Sequence, residues 1–164
     1  MLAVTLLALV GVTAEPRWHA DYDEAAALAK KEKKDLVIYF RADEALDAAL
    51  NDAEVRKRLA DLVCLRVAPS YEYDGKRLLD LSPLEDMMGK PGIAVVSFHD
   101  TEAPNYRRVI SAHPLVGSRY HWVPGYGPNE IATMLDLPAT ATLTQRSMMY
   151  AIRVHPERPR SILG

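Results

Sequence analysis

The side chains able to do chemistry in this 164-residue chain are few and widely spaced. Cys64 is the single thiol, so neither an intramolecular disulfide nor a cysteine-based zinc cluster can form. It sits in LVCLRV, Leu62 to Val67, an apolar run that reads as a strand, where a cysteine behaves as a small buried hydrophobe. The five histidines, His19, His99, His113, His121 and His155, follow no metal-ligand spacing, and no Ser/His/Asp arrangement carries a local signature. No metal and no cofactor is expected. The natural place to look for chemistry is YFRADEALDAAL, Tyr39 to Leu50, where an apolar strand runs into an acidic, alanine-rich helix. In α/β proteins the carboxyl end of a strand is the favoured location for a reactive group or a ligand. Here the turn supplies no thiol, hydroxyl nucleophile or histidine.

A second candidate is a loop, AHPLVGSRYHWVPGYGPNE, far longer than the usual connection between a strand and a helix. Tyr120, His121, Trp122 and Tyr126 lie there among prolines and glycines. Aromatic rings bring large contact area at small entropic cost, which suits a contact loop for protein or carbohydrate. The competing reading is a lid folded back on its own domain.

The elements that must position these residues are legible from periodicity. DYDEAAALAKKEKK reads as an amphipathic helix, capped by Asp21 with Glu24 three residues on, and ending in lysines that suit the helix dipole. LVIYF, Leu36 to Phe40, is a continuous apolar run expected of a central strand buried on both faces. From Glu44 to Leu59 the apolar spacing is helical, with Asn51-Asp52 marking a break and a fresh cap. With the strand at Cys64 this makes a parallel, right-handed βαβ unit.

A polar, tyrosine-containing loop follows. SPLEDMMG then reads as a short helix, with Ser82 as cap, Pro83 first in the helix and Gly89 as stop. IAVVSF and YRRVISA, joined by HDTEAPN, predict a hairpin, and Pro128-Asn129-Glu130 opens a closing helix that Pro138 ends.

This order, with Trp18 ahead of the first helix, FRAD after the central strand and a proline before the hairpin, resembles the thioredoxin-like fold. It is closest to the bacterial exported group, on AKKEKKDLVIYFRAD followed by NDAEVRKRLADLVCLRV, and covers Trp18 to Pro138. The resemblance implies an α/β domain with a central mixed sheet of four to five strands flanked by helices, plus a C-terminal extension. It places Ala45, Leu46, Asp47 and Ala48 where active members carry Cys-x-x-Cys, and Tyr39 where they carry a buried aspartate. Thiol–disulfide exchange needs an attacking thiolate and a resolving thiol, and this turn has neither. The resemblance also makes Pro91 a candidate cis-proline, with Lys90, Pro91, Gly92 and Ile93 forming an edge groove for an extended peptide.

The functional expectation is therefore a redox-inactive thioredoxin-like module that binds a protein or peptide partner. The alternative is a single-thiol oxidoreductase or peroxide-reactive protein using Cys64. It requires an exposed thiol of depressed pKa.

Twenty basic against 22 acidic residues give a formal charge of −2, which favours neither nucleic acid nor an anionic membrane as partner. Residues 1–14, MLAVTLLALVGVTA, are uncharged, too short to span a membrane and close to the apolar part of a secretory signal. They predict export to the periplasm or exterior, against the competing readings of a mis-called start codon or an N-terminal strand packed on the domain. Residues 15–138 are then the domain. Residues 139–164, locally basic at Arg146, Arg153, Arg158 and Arg160, form an extension that reads as a docking segment, a linker to a further domain, or a tail packed on its own domain.

Overall fold

A computed structural model describes residues 15–41, 44–115, 127–137, 141–142, 144–146 and 148–149. Its centre is a mixed five-stranded sheet in the order β1-β3-β2-β6-β7. Strands β1 (Trp18–His19), β3 (Val63–Val67) and β2 (Leu36–Phe40) run parallel, while β6 (Gly92–Val96) is antiparallel to β2 and β7 (Val109–Pro114) antiparallel to β6.

Every residue of β2 is buried, because the strand is central and covered on both faces. Successive side chains alternate between faces, and the core divides accordingly. Leu36, Ile38 and Phe40 join Leu65, Val67, Ala94 and Val96 beneath helix α1 (Tyr22–Glu32) and two 3-10 turns, Leu78–Asp80 and Ser82–Met87. Val37 and Tyr39 join Cys64, Ile93 and Val95 beneath α2 (Glu44–Leu50), α3 (Ala53–Leu59) and α4 (Pro128–Leu135). The result is an α/β/α sandwich.

The caps expected from local sequence form. Asp21 accepts from Glu24 N at 2.9 Å, and α1 turns Ala25 and Ala29 inward, fully buried. Asp52 Oδ1 accepts from Glu54 N at 2.9 Å and Val55 N at 3.4 Å, which separates α2 from α3. Since Val55 and Leu59 carry α3 into the core, loss of this cap is felt by the whole domain. Asp52→Ala is expected to lower unfolding free energy by about 1 kcal/mol, read as a shifted urea midpoint with unchanged slope.

Three local expectations are corrected. Ser82 is the first residue of a 3-10 turn rather than its cap, and no side chain caps that turn; the left-handed stop begins at Met88, at φ 53°, and includes the expected Gly89, at φ 65°. Trp18–His19, expected only to precede α1, pairs with Cys64 and Leu65 as an edge strand. The tyrosine-containing loop folds into a small hairpin, β4 (Glu72–Tyr73) with β5 (Lys76–Arg77). The Tyr73 hydroxyl donates to Asp23 at 3.0 Å, and the Tyr71 hydroxyl accepts from Tyr22 N at 3.1 Å, so this insertion ties down the start of α1. No helix among the described residues is long and apolar enough to cross a membrane.

Candidate functional site

At the carboxyl end of β2, Arg41 N donates to Val67 O at 2.9 Å and extends the parallel pairing one step past Phe40. Ala42 and Asp43 lie outside the described residues. Helix α2 then starts, and its amphipathic spacing decides where the four turn residues point. Leu46 is buried with Ala49 and Leu50 against Tyr39 and Val37. Ala45 and Ala48 face solvent, and Asp47, half-buried, has Oδ2 3.9 Å from Arg41 Nη2.

Ala45, Ala48 and Ala49, with Asn51, Asp52, Gly127 and Pro128, line an open hollow of about 590 Å³ between α2 and the start of α4. Its surface is mostly methyl groups and backbone, and its one carboxylate, Asp52, is already engaged as a cap. Such a surface can hold an apolar or extended chain. Among the described residues that line it, Asp52 is the one with a carboxylate and none carries a thiol, hydroxyl or imidazole.

Cys64 is elsewhere. It pairs in register with Val37, three residues before Phe40, which puts it about 10 Å back from the turn along the sheet. The side chain is completely buried and its Sγ lies 3.5 Å from Leu59 O, to which it donates. Burial pushes the thiol up to about 12, against the smaller opposing pull of the Arg66 charge.

Tyr39 is also completely buried. Its ring meets Trp18 edge-on at 6.2 Å, and the Arg66 guanidinium lies 4.4 Å over the Trp18 ring and 5.6 Å from the Tyr39 ring. Among the described residues Arg66 Nε, which is buried, has no hydrogen-bond partner, and the guanidinium lies against the two ring faces. The arginine inside an otherwise apolar LVCLRV was the visible signal for this stack, and the sequence reading passed over it.

The cis geometry expected at Pro91 is not found. The Lys90–Pro91 peptide is trans. Met88 at φ 53°, Gly89 at φ 65° and Gly92 at φ 141° reverse the chain, and Lys90 N donates to Met87 O at 2.9 Å to close the turn. With glycine torsions supplying the reversal, an ordinary proline peptide fits. Ile93 is not at an edge either, because β6 lies between β2 and β7 and Ile93 pairs with both Tyr39 and His113. Tyr120, His121, Trp122 and Tyr126 fall outside the described residues, although Gly127 and Pro128, directly after them, form one wall of the hollow.

At the opposite end of β2, about 16 Å away for a five-residue strand, sequence reasoning missed a buried polar cluster. Asp35 Oδ1 accepts from Phe98 N at 3.2 Å, and burial raises its carboxyl pKa, with Phe98 N–H and the Arg146 charge opposing. Arg146 and Asp35 line a cavity of about 240 Å³ with Lys33, Lys34, Asp61 and His99. Nearby, His113 is buried on β7. The only sequence signal was an aspartate heading a strand of five apolar residues. Among the described residues no group of histidine, cysteine and carboxylates is arranged to hold a metal ion. Compared with protein-family models, curated proteins and solved structures, the chain has no match.

Proposed function

We propose that this chain is an exported thioredoxin-like domain that binds an extended segment of a protein partner instead of exchanging thiols. The fold part of the reading draws support from the parallel β1-β3-β2 half followed by antiparallel β6 and β7, in the element order the resemblance implies. The export part rests on the apolar run at residues 1–14.

One observation carries the functional reading. At the turn where this fold would present its chemistry, two exposed alanines open a shallow hollow shared with Gly127-Pro128. Meanwhile the single thiol is buried in the sheet, with its pKa pushed up to about 12. Relative to a free thiol near 8.5, that leaves on the order of three thousandfold less thiolate at neutral pH.

The test is selection of displayed extended peptides against the native domain, followed by binding to Ala48→Arg, which fills the hollow with a charged side chain. Selected peptides should lose at least tenfold in affinity for this variant while its melting temperature stays within a few degrees. Peptides that ignore Ala48→Arg would remove the hollow from the reading. A native chain whose Cys64 reacts with a thiol reagent as fast as the denatured chain would instead revive the single-thiol oxidoreductase.

A further inference from the structure

The hollow between α2 and α4 is apolar at its floor and acidic at its rim. Ala45, Ala48 and Ala49 share one face of α2, and Asp52 follows just past the end of that helix. Glu44 stands exposed at the start of α2, one residue before Ala45 and one turn before Ala48. Across the hollow, the Glu130 carboxylate folds back on the start of α4. Its Oε2 lies 2.5 Å from the position that a Cβ on Gly127 would take, and Gly127 belongs to the wall. Asp52 accepts both of its cap hydrogen bonds through Oδ1.

Nearby cations are engaged by other carboxylates. Neither α2 nor α4 contains a lysine or an arginine. Arg41, before α2, faces Asp47 at 3.9 Å. On α3, Arg56 pairs with Glu15, and Arg58 reaches Asp136 at 2.7 Å and Glu54 at 3.2 Å. Among the described residues Glu44 and Glu130 form no ion pair. Positive charge does come from the starts of α2, α3 and α4, but each helix start is worth roughly half a unit, about half in total of what Glu44, Asp52 and Glu130 supply. The hollow is therefore locally negative, although the chain as a whole carries a formal charge of only −2.

We propose that the hollow takes a basic extended segment of a protein partner, with lysine or arginine stems along the alanine methyls and their charged heads at Glu44, Asp52 and Glu130. This preference rests on the peptide-binding reading above and adds the chemistry of the segment bound. Lysine and arginine suit both parts of the surface at once, because their methylene stems cover apolar area while the head stays in water. An acidic segment meets like charge, and a purely apolar one leaves the rim unmatched. Exposed pairs of this kind are individually weak and screened by salt, so selectivity comes from their number and sign.

The test follows labelled peptides with lysine, glutamine or glutamate at alternate positions of one threonine scaffold as they bind the full chain. At low salt the lysine peptide should bind about tenfold more tightly than the glutamine peptide, with glutamate weakest, and the advantage should shrink as salt rises. In the double variant Glu44→Gln, Glu130→Gln, which removes two charges at nearly constant shape, the lysine peptide should lose about fivefold to tenfold. Glu72→Gln, the same charge change on β4, should lose nothing. Equal binding of all three peptides, each still lost on Ala48→Arg, would overturn the charge preference and leave the peptide-binding reading in place. Binding of none of them would overturn it too, and the displayed-peptide selection would then decide the broader reading alone. Self-association of the full chain that Ala48→Arg abolishes would make a second copy the occupant, equally against the proposal.

Discussion

A Gly92→Ala variant is expected to melt about 10–20 °C below the parent, a loss of roughly 3–5 kcal/mol. Two independent costs meet at this position. Gly92 has φ 141°, a conformation that side-chain-bearing residues rarely adopt, and forcing one into it costs about 1–3 kcal/mol. A Cβ there would also lie 2.2 Å from His113 O and 3.0 Å from Pro114 Cα, backbone atoms of the neighbouring strand that no rotamer change can move. Overpacking of this kind adds a similar amount. Relief would require β6 and β7 to part where Leu115 N donates to Pro91 O at 2.7 Å. Gly89→Ala is the internal comparison. Its φ is 65°, but the nearest group is the flexible Arg77 guanidinium at 3.3 Å, so the cost is about 1 kcal/mol. Thermal melts of both variants decide the matter: similar shifts would mean that β7 yields and that the close strand approach does not constrain the turn.

The contrast between these two glycines also marks what can be read from sequence. Gly89 follows a predicted helical turn, and a local rule anticipates its torsion. Nothing near Gly92 announces that the carbonyl of His113, twenty-one residues later, will press against it. The same division runs through the fold. Asp21, Asp52 and the apolar run Leu36–Phe40 were legible because a cap or a buried central strand is written in a few consecutive residues. Trp18–His19 was not, since a two-residue strand draws its identity from Cys64 and Leu65, far along the chain. At the candidate site, the missing thiols at Ala45 and Ala48 were plain, whereas the hollow between them and Pro128 depends on how α2 meets α4. The trans Lys90–Pro91 peptide went the other way, because the resemblance suggested a geometry that neighbouring left-handed residues make unnecessary.

The polar cluster around Arg146 is the extreme case. Its members are Asp35, just before β2, Ser111 and His113 on β7, Met134 in the last turn of α4 and Leu137 just beyond it, and only the finished sheet brings them together. Burying so many polar groups costs stability unless each is satisfied. Arg146 donates to Ser111 Oγ, Leu137 O and Met134 O, and Asp35 accepts from Phe98 N–H. Arg146 is thereby tied to β7 and to the C-terminal end of α4.

The second large effect follows from this cluster and is set by pH. His113 is buried, and burial first, with the Arg146 charge second, pushes its pKa down from 6.5 to about 4. Above pH 6.5 the imidazole is neutral in both folded and unfolded chains and contributes no pH dependence. Between pH 6.5 and 4 the unfolded chain takes up a proton that the folded chain refuses, so stability falls as pH falls. At ~1.4 kcal/mol per pH unit the loss across this window is about 3 kcal/mol, levelling off below pH 4. Asp35 acts in the opposite sense: its carboxyl is raised by burial, so the folded chain protonates it first and its cost is relieved on acidification. That relief becomes available only as pH falls through its raised pKa, and it offsets part of the acid limb. Urea unfolding of the wild type and of His113→Gln at pH 7 and pH 4.5 separates the two groups. The variant is expected to lose about 2–3 kcal/mol less than the wild type on going to pH 4.5. Parallel losses would place a proton on His113 inside the folded domain, and acid sensitivity would then belong to the carboxylates alone.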